Sequence, residues 1–219
     1  MQIAFLGKNN KPGISEAICE TEKISTLLDI YVGDINEPLP VDLKKKKYDV
    51  LISYLSPWII PKEVLEETRR WNINFHPGPP EYPGIGCFNF AIFEHAPSYG
   101  ATCHIMLPKV DSGKIIGVER FKTSRQETVS SLSEKTYLVQ LKLFKHVIHY
   151  IETYDELPES SEVWLRKPYR REQLERLATI DISMSKSEID HIIRSTYLDG
   201  RPAPFIELGG YRFEYNPER

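Results

Sequence analysis

Cysteine is scarce in this chain: three occur in 219 residues, at positions 19, 87 and 103, and none stands in a Cys-X-X-Cys pair. So odd and scattered a set argues against a disulfide framework and fits a reducing compartment. Long apolar runs are missing too, for no stretch approaches the roughly 18 residues of a membrane span. The opening Met1-Gln2-Ile3-Ala4-Phe5-Leu6-Gly7 is apolar but lacks the basic flank and small-residue cleavage site of a secretory signal. Positive charge is in short supply as well: 28 Lys and Arg against 31 Asp and Glu leave a formal charge of -3. The global field of a dedicated nucleic-acid binder is therefore absent. These absences predict a soluble cytoplasmic protein, with no membrane or nucleic acid as partner, whose anionic ligands are small and met by local cations.

What is present, 41% hydrophobic and 27% charged residues, suffices for a sizeable core. Residues 2–6 read as a buried strand ended by Gly7, followed by a helix from Ser15. Residues 28–32 and 49–55 read as two more strands rich in branched apolar side chains. Pro61 opens a short helix, 72–75 is a strand, and 87–95 is a helix. Strands alternating with helices predict a Rossmann-like, doubly wound α/β sheet whose ligands bind beyond the carboxyl ends of its strands. The basic run Lys44–Lys47 reads as a solvated face. Two further strands, 101–107 and 114–121, are joined through the turn chemistry of Asp111-Ser112-Gly113. Val129, Leu132, Leu138, Leu141, Phe144, Val147, Ile148 and Ile151 recur at near-helical spacing, predicting one long helix over 126–151.

A shift to Glu, Pro and Ser at 154–161 divides a main domain, 1–155, from a smaller unit, 156–219. In that unit Ser185 and Glu188 form a capping box ahead of a helix, and Gly209-Gly210 between 205–208 and 211–215 marks a hairpin. A lone hairpin is marginal in water, so this one is expected to pack on the main domain or on a second subunit.

The chemistry concentrates in Asn74-Phe75-His76-Pro77-Gly78 and Val110-Asp111-Ser112-Gly113-Lys114. Strand alternation puts Asn74 and His76 on one face, and the chain then breaks at Pro77-Gly78-Pro79-Pro80. An amide and an imidazole converging on a carbonyl can stabilise an oxyanion and shuttle a proton, while a carboxylate such as Asp111 orients the imidazole or accepts a proton. Spacing alone admits a second reading, in which Asn74 satisfies a turn, His76 is a packed core side chain and Asp111 opens a hairpin.

The surrounding motifs resemble the 10-formyltetrahydrofolate-dependent formyltransferase family over about residues 1 to 150. They are the strand end at 74–78, the proline-rich loop through Tyr82-Pro83-Gly84, the turn Asp111-Ser112-Gly113-Lys114-Ile115-Ile116, and the upstream 48–54 with Trp58-Ile59-Ile60-Pro61. The resemblance implies that Asn74 and His76 bind the formyl oxygen as it becomes an oxyanion. Asp111 then holds His76 in a useful protonation state and helps remove the amine's proton, and His104 supports them from behind. By the same resemblance, backbone around Trp58 and Ile60, with the 107–111 loop that carries Pro108, Lys109 and Asp111, holds the pterin of 10-formyltetrahydrofolate.

The loop 77–84, with Gly86-Cys87-Phe88-Asn89-Phe90 after it, looks most like the nucleotide-sugar N-formyltransferase branch, as does Pro168-Tyr169-Arg170-Arg171. That branch implies a homodimer and an acceptor such as dTDP-4-amino-4,6-dideoxyglucose, destined for a surface polysaccharide of the O-antigen type. Pro77 and Gly78 would flank the acceptor beside His76. Lys8, Lys11, Arg166, Lys167 and Arg170 are candidates for its pyrophosphate, and Phe88, Trp164 or Tyr169 for its base. A methionyl-tRNA formyltransferase-like enzyme and a non-catalytic folate or nucleotide-sugar binder are the alternatives. A metal site is not expected, because Cys87, His95, Cys103 and His104 match no zinc spacing. A P-loop is not expected either, because Ile14 stands where its lysine belongs.

Overall fold

The computed structural model describes residues 1–218. Six strands form the main sheet in the order β2-β1-β3-β4-β5-β6. They are β1 (Gln2–Lys8), β2 (Leu27–Gly33), β3 (Val50–Tyr54), β4 (Trp71–His76), β5 (Ser98–Ile105) and β6 (Ile115–Lys122). The first four run parallel, while β5 lies antiparallel to both β4 and β6. The Rossmann-like sheet expected from the sequence is thus present, with an antiparallel edge hairpin added to its parallel half.

Strand β1 does not end at Gly7 but continues to Lys8, paired on both sides with β2 and β3. Gly7 serves packing there: a Cβ at that position would lie 2.7 Å from Cδ1 of Ile14. Helix α1 (Ile14–Glu22) and helix α4 (Val129–Tyr154) cover one face of the sheet. Phe144 of α4 is fully buried there, its ring centroid 4.6 Å from Phe75, 5.4 Å from Tyr54 and 6.3 Å from Phe5. Helix α4 starts three residues later than the apolar spacing implied, because Thr128 and Ser131 form a reciprocal capping box at its start. Leu138, which shares the periodicity, points outward and is exposed. The opposite face carries Leu6, Leu51, Leu43 and Leu65, the last from α2 (Lys62–Glu67).

Helix α3 (Cys87–Phe93) follows the proline-rich loop. Beyond α4 the chain crosses back over the sheet's end, forms α5 (Arg171–Leu177) and α6 (Lys186–Thr196), and finishes in the hairpin of β7 (Phe205–Leu208) and β8 (Tyr211–Glu214). Ser185 and Glu188 cap α6 as expected, and Gly209 and Gly210 supply the positive φ angles, 61° and 83°, of the two-residue turn. Among the described residues no helix is long and apolar enough to cross a membrane.

Candidate active site

Strand β4 presents two chemically different faces within six residues. Trp71, Ile73 and Phe75 join the apolar layer beneath α4, so Asn72, Asn74 and His76 project from the other side. Gln140 of α4, fully buried, donates to the carbonyl of Phe75 at 2.7 Å and holds the end of the strand in place. Directly across the antiparallel pair, Asn74 faces His104 and His76 faces Thr102.

These registers build one connected group. Nδ2 of Asn74 lies 3.0 Å from Nε2 of His104. Asp111, in a left-handed turn with φ 42°, inserts its carboxylate between the two rings, 3.3 Å from Nδ1 of His76 and 3.2 Å from Nε2 of His104. The backbone N–H of Gly84 donates to the same carboxylate at 2.8 Å. Burial by itself would push the Asp111 carboxyl up; the imidazoles of His76 and His104 and the Gly84 N–H outweigh it and hold the group well below the usual carboxylate range. A buried, ionised acceptor therefore sits between two imidazoles, and each contact becomes an ion pair when its ring takes a second proton.

The rings are fixed from behind as well. Nε2 of His76 donates to the carbonyl of Tyr82 at 2.9 Å, and Nδ1 of His104 donates to the carbonyl of Ile105 at 2.8 Å. A carbonyl can only accept, so these two nitrogens carry hydrogens. Gly78 leaves room for the arrangement: a Cβ there would lie 2.6 Å from Nε2 of His76. Thr102, buried opposite His76, donates to the Gly78 carbonyl at 2.7 Å.

Beside this group a cavity of about 250 Å³ is lined by Asn74, His76, His104 and Asp111 on one side and by Trp58, Ile60, Leu107 and Pro108 on the other. Its size is at the small end of ligand sites, with room for a compact ring system. Trp58 is itself held, its indole N–H donating to the Glu37 carbonyl at 3.0 Å and its ring lying against Gly33.

The remaining sequence-predicted residues fall elsewhere. Pro77 also lines the cavity, whereas Lys109 borders an adjoining trough with Arg166 and Tyr169. The Tyr169 ring is sandwiched between Phe90, at 3.6 Å between centroids, and the Arg166 guanidinium at 3.8 Å. Arg166 in turn pairs with Glu94 at 3.2 Å. Phe88 packs against Tyr99 and Tyr137. Lys8 and Lys11 gather at the end of β1 with Arg201; burial first, and the charge of Arg201 next, lower the affinity of both lysines for their protons.

The sequence reading missed what three contributors do. Tyr82 and Gly84 act through backbone groups on His76 and Asp111. Trp164 brings its indole edge-on to His104 at 5.1 Å and to His76 at 6.0 Å, anchored by its N–H on the Gly113 carbonyl at 2.8 Å. The sequence marked Tyr82-Pro83-Gly84 as a loop end and Trp164 as a candidate for the acceptor's base, not as parts of this group. Among the described residues no group of three or more His, Cys, Asp and Glu is placed to hold a metal ion.

Amide, imidazoles and carboxylate at the carboxyl end of a Rossmann-like sheet, beside a cavity, form a site equipped for acyl transfer. A sequence profile described as formyl transferase matches residues 4–148, and the chain belongs to that family. The chain is 28% identical over 121 residues to a methionyl-tRNA formyltransferase of Hydrogenobaculum sp., a match covering 52% of this chain and 40% of that one. It therefore spans less than half the length of this curated relative. Its fold is similar, at a TM-score of 0.77 and 17% identity, to a sugar N-formyltransferase from Shewanella sp., covering 98% of this chain and 96% of the other. It is also similar, at a TM-score of 0.69 and 16% identity, to the N-formyltransferase from Helicobacter canadensis solved with folinic acid and dTDP-3-aminofucose, covering 96% and 85%.

Proposed function

We propose that this protein transfers the formyl group of 10-formyltetrahydrofolate to the amine of a nucleotide-linked amino dideoxy sugar, acting in the cytoplasm in the assembly of a surface polysaccharide. The observation that carries the formyl-transfer reading is the shared Asp111 carboxylate between His76 and His104, with Asn74 lining the cavity beside them. The sugar is supported by extent: the whole chain superposes on nearly the whole of the Shewanella enzyme, and the Helicobacter relative was solved with a folate and a dTDP-sugar.

The largely apolar cavity walls of Trp58, Ile60, Leu107 and Pro108 suit a flat heteroaromatic ring, and these residues would hold the pterin. The folate, when bound, supplies a formyl group on a nitrogen able to leave. Asn74 donates a hydrogen bond to the formyl oxygen, and His76 donates a second once its Nε2–H turns from the Tyr82 carbonyl, as the acceptor nitrogen bonds to the formyl carbon and charge collects on that oxygen. The His76–Asp111 pair takes the proton that the amine loses, and a proton is returned to the departing nitrogen as the old carbon–nitrogen bond breaks. Lys8, Lys11 and Arg201 would receive the acceptor's diphosphate.

Incubation with 10-formyltetrahydrofolate and a panel of dTDP-, UDP- and GDP-linked 3-amino and 4-amino sugars, read by mass spectrometry, should show one acceptor gaining the mass of a formyl group. Transfer to methionyl-tRNA and to no sugar would replace this reading with the tRNA one, and no transfer to either would remove catalysis.

The terminal hairpin supports a homodimer. Cross-strand pairs Ile206–Phe213 and Leu208–Tyr211 put these four side chains on one face, of which Leu208, Tyr211 and Phe213 are exposed, while Phe205 is buried on the other under Arg212. A face so apolar calls for a partner. Sedimentation should give a dimer, and Tyr211→Glu with Phe213→Glu a monomer; a monomeric wild type would discard this arrangement.

A further inference from the structure

A trough of about 1100 Å³ adjoins the cavity at Val110 and Asp111, residues that line both. Lys109, Lys167, Arg170 and Arg171 line it, all exposed, and none forms an ion pair among the described residues; Glu172 is the one acid beside them apart from Asp111 itself. Four unpaired cations along one open channel repel each other and favour a ligand bearing several negative charges.

The position of the trough says which ligand. If the pterin occupies the cavity, the reacting nitrogen lies at the His76–Asp111 group, and everything beyond that nitrogen must leave past Asp111. The part that leaves is a benzoyl group ending in glutamate, extended in cells by further γ-linked glutamates, each adding one carboxylate. A separate cationic group, Lys8, Lys11 and Arg201 at the end of β1, is the one proposed above to receive the acceptor's diphosphate.

We infer that the trough lined by Lys109, Lys167, Arg170 and Arg171 binds the polyglutamate tail of the folate donor, so that the enzyme selects polyglutamylated over monoglutamylated folate. This rests on the donor reading above. Exposed pairs are individually weak, so the selectivity comes from several acting together and fades with salt.

Calorimetric titration with 5-formyltetrahydrofolate, as monoglutamate and as pentaglutamate, tests it without turnover. The wild type should bind the pentaglutamate about tenfold more tightly at low ionic strength, and the preference should fall away in high salt. In Lys167→Gln/Arg170→Gln/Arg171→Gln, with its circular dichroism unchanged, the two forms should bind alike, while Lys8→Gln/Arg201→Gln should keep the preference. Equal affinities in the wild type would overturn the tail site while leaving the donor reading intact. Failure to bind either form would instead remove the donor reading and the tail site with it. If the triple variant keeps the preference and loses affinity for dTDP, the trough belongs to the acceptor and the inference is wrong.

Discussion

Replacing Asp111 by Asn should lower kcat/KM by about three orders of magnitude, the scale on which removal of a preorganised charged group acts. The change is nearly isosteric, so the loss is electrostatic. In the wild type one carboxylate oxygen faces Nε2 of His104, and the other faces Nδ1 of His76 and accepts from the N–H of Gly84, so each ring that takes a second proton finds a counter-charge. An amide can still accept from the Gly84 N–H, but it carries no charge, so neither imidazole retains a counter-charge for its second proton. Stability should change with a definite dependence on pH. Because the folded protein holds the Asp111 carboxyl below its ordinary value, its ionised form contributes stability that is fully present above the unfolded pKa of about 3.9 and is lost as pH falls through the lower folded value. Urea unfolding should therefore show a gap between wild type and Asp111→Asn that is widest near neutrality and narrows in acid. A variant within tenfold of wild-type activity would contradict the role given to this carboxylate.

Residues that act through side chains at a strand end were legible in the sequence; those that act through backbone or from a distance were not. Asn74 and His76 could be placed on one face because alternation in β4 is strict, and Asp111 because Asp-Ser-Gly marks a turn. Tyr82 and Gly84 contribute a carbonyl and an N–H, which every residue owns, so residue type carries no hint of them. Trp164 meets the Gly113 carbonyl across 51 positions of sequence, a separation that no local pattern encodes. Helix α5 was missed for a related reason: none of its seven residues is buried, so it has no apolar stripe to read. Gly7 misled in the opposite direction, since hydrogen bonds to neighbours on both sides carry β1 through it.

That distance-borne wiring makes Gly84 a sensitive position although it has no side chain to touch the group. Gly84 has φ +88°, and a Cβ there would lie 2.4 Å from the carbonyl oxygen and 2.6 Å from the nitrogen of Tyr169. These are backbone atoms, unable to swing aside as a side-chain tip can. Tyr169 N donates to the Pro83 carbonyl at 2.9 Å and Ile85 N to the Tyr169 carbonyl at 3.0 Å, while the Tyr169 ring is clamped between Phe90 and Arg166. Alanine must therefore break the pairing of the two segments or rotate Gly84 out of its left-handed conformation, and either course withdraws the N–H from Asp111. Strain at positive φ and a backbone clash together should cost about 3 kcal/mol or more. Gly84→Ala is expected to show a clearly lowered unfolding midpoint and, at temperatures where it stays folded, a kcat depressed by more than its KM values change, since the defect lies in the positioning of the carboxylate. A Gly84→Ala protein of near-wild-type stability would mean that residues 83–85 and Tyr169 can separate freely, and the segment after α4 would then have no part in holding Asp111 against His76.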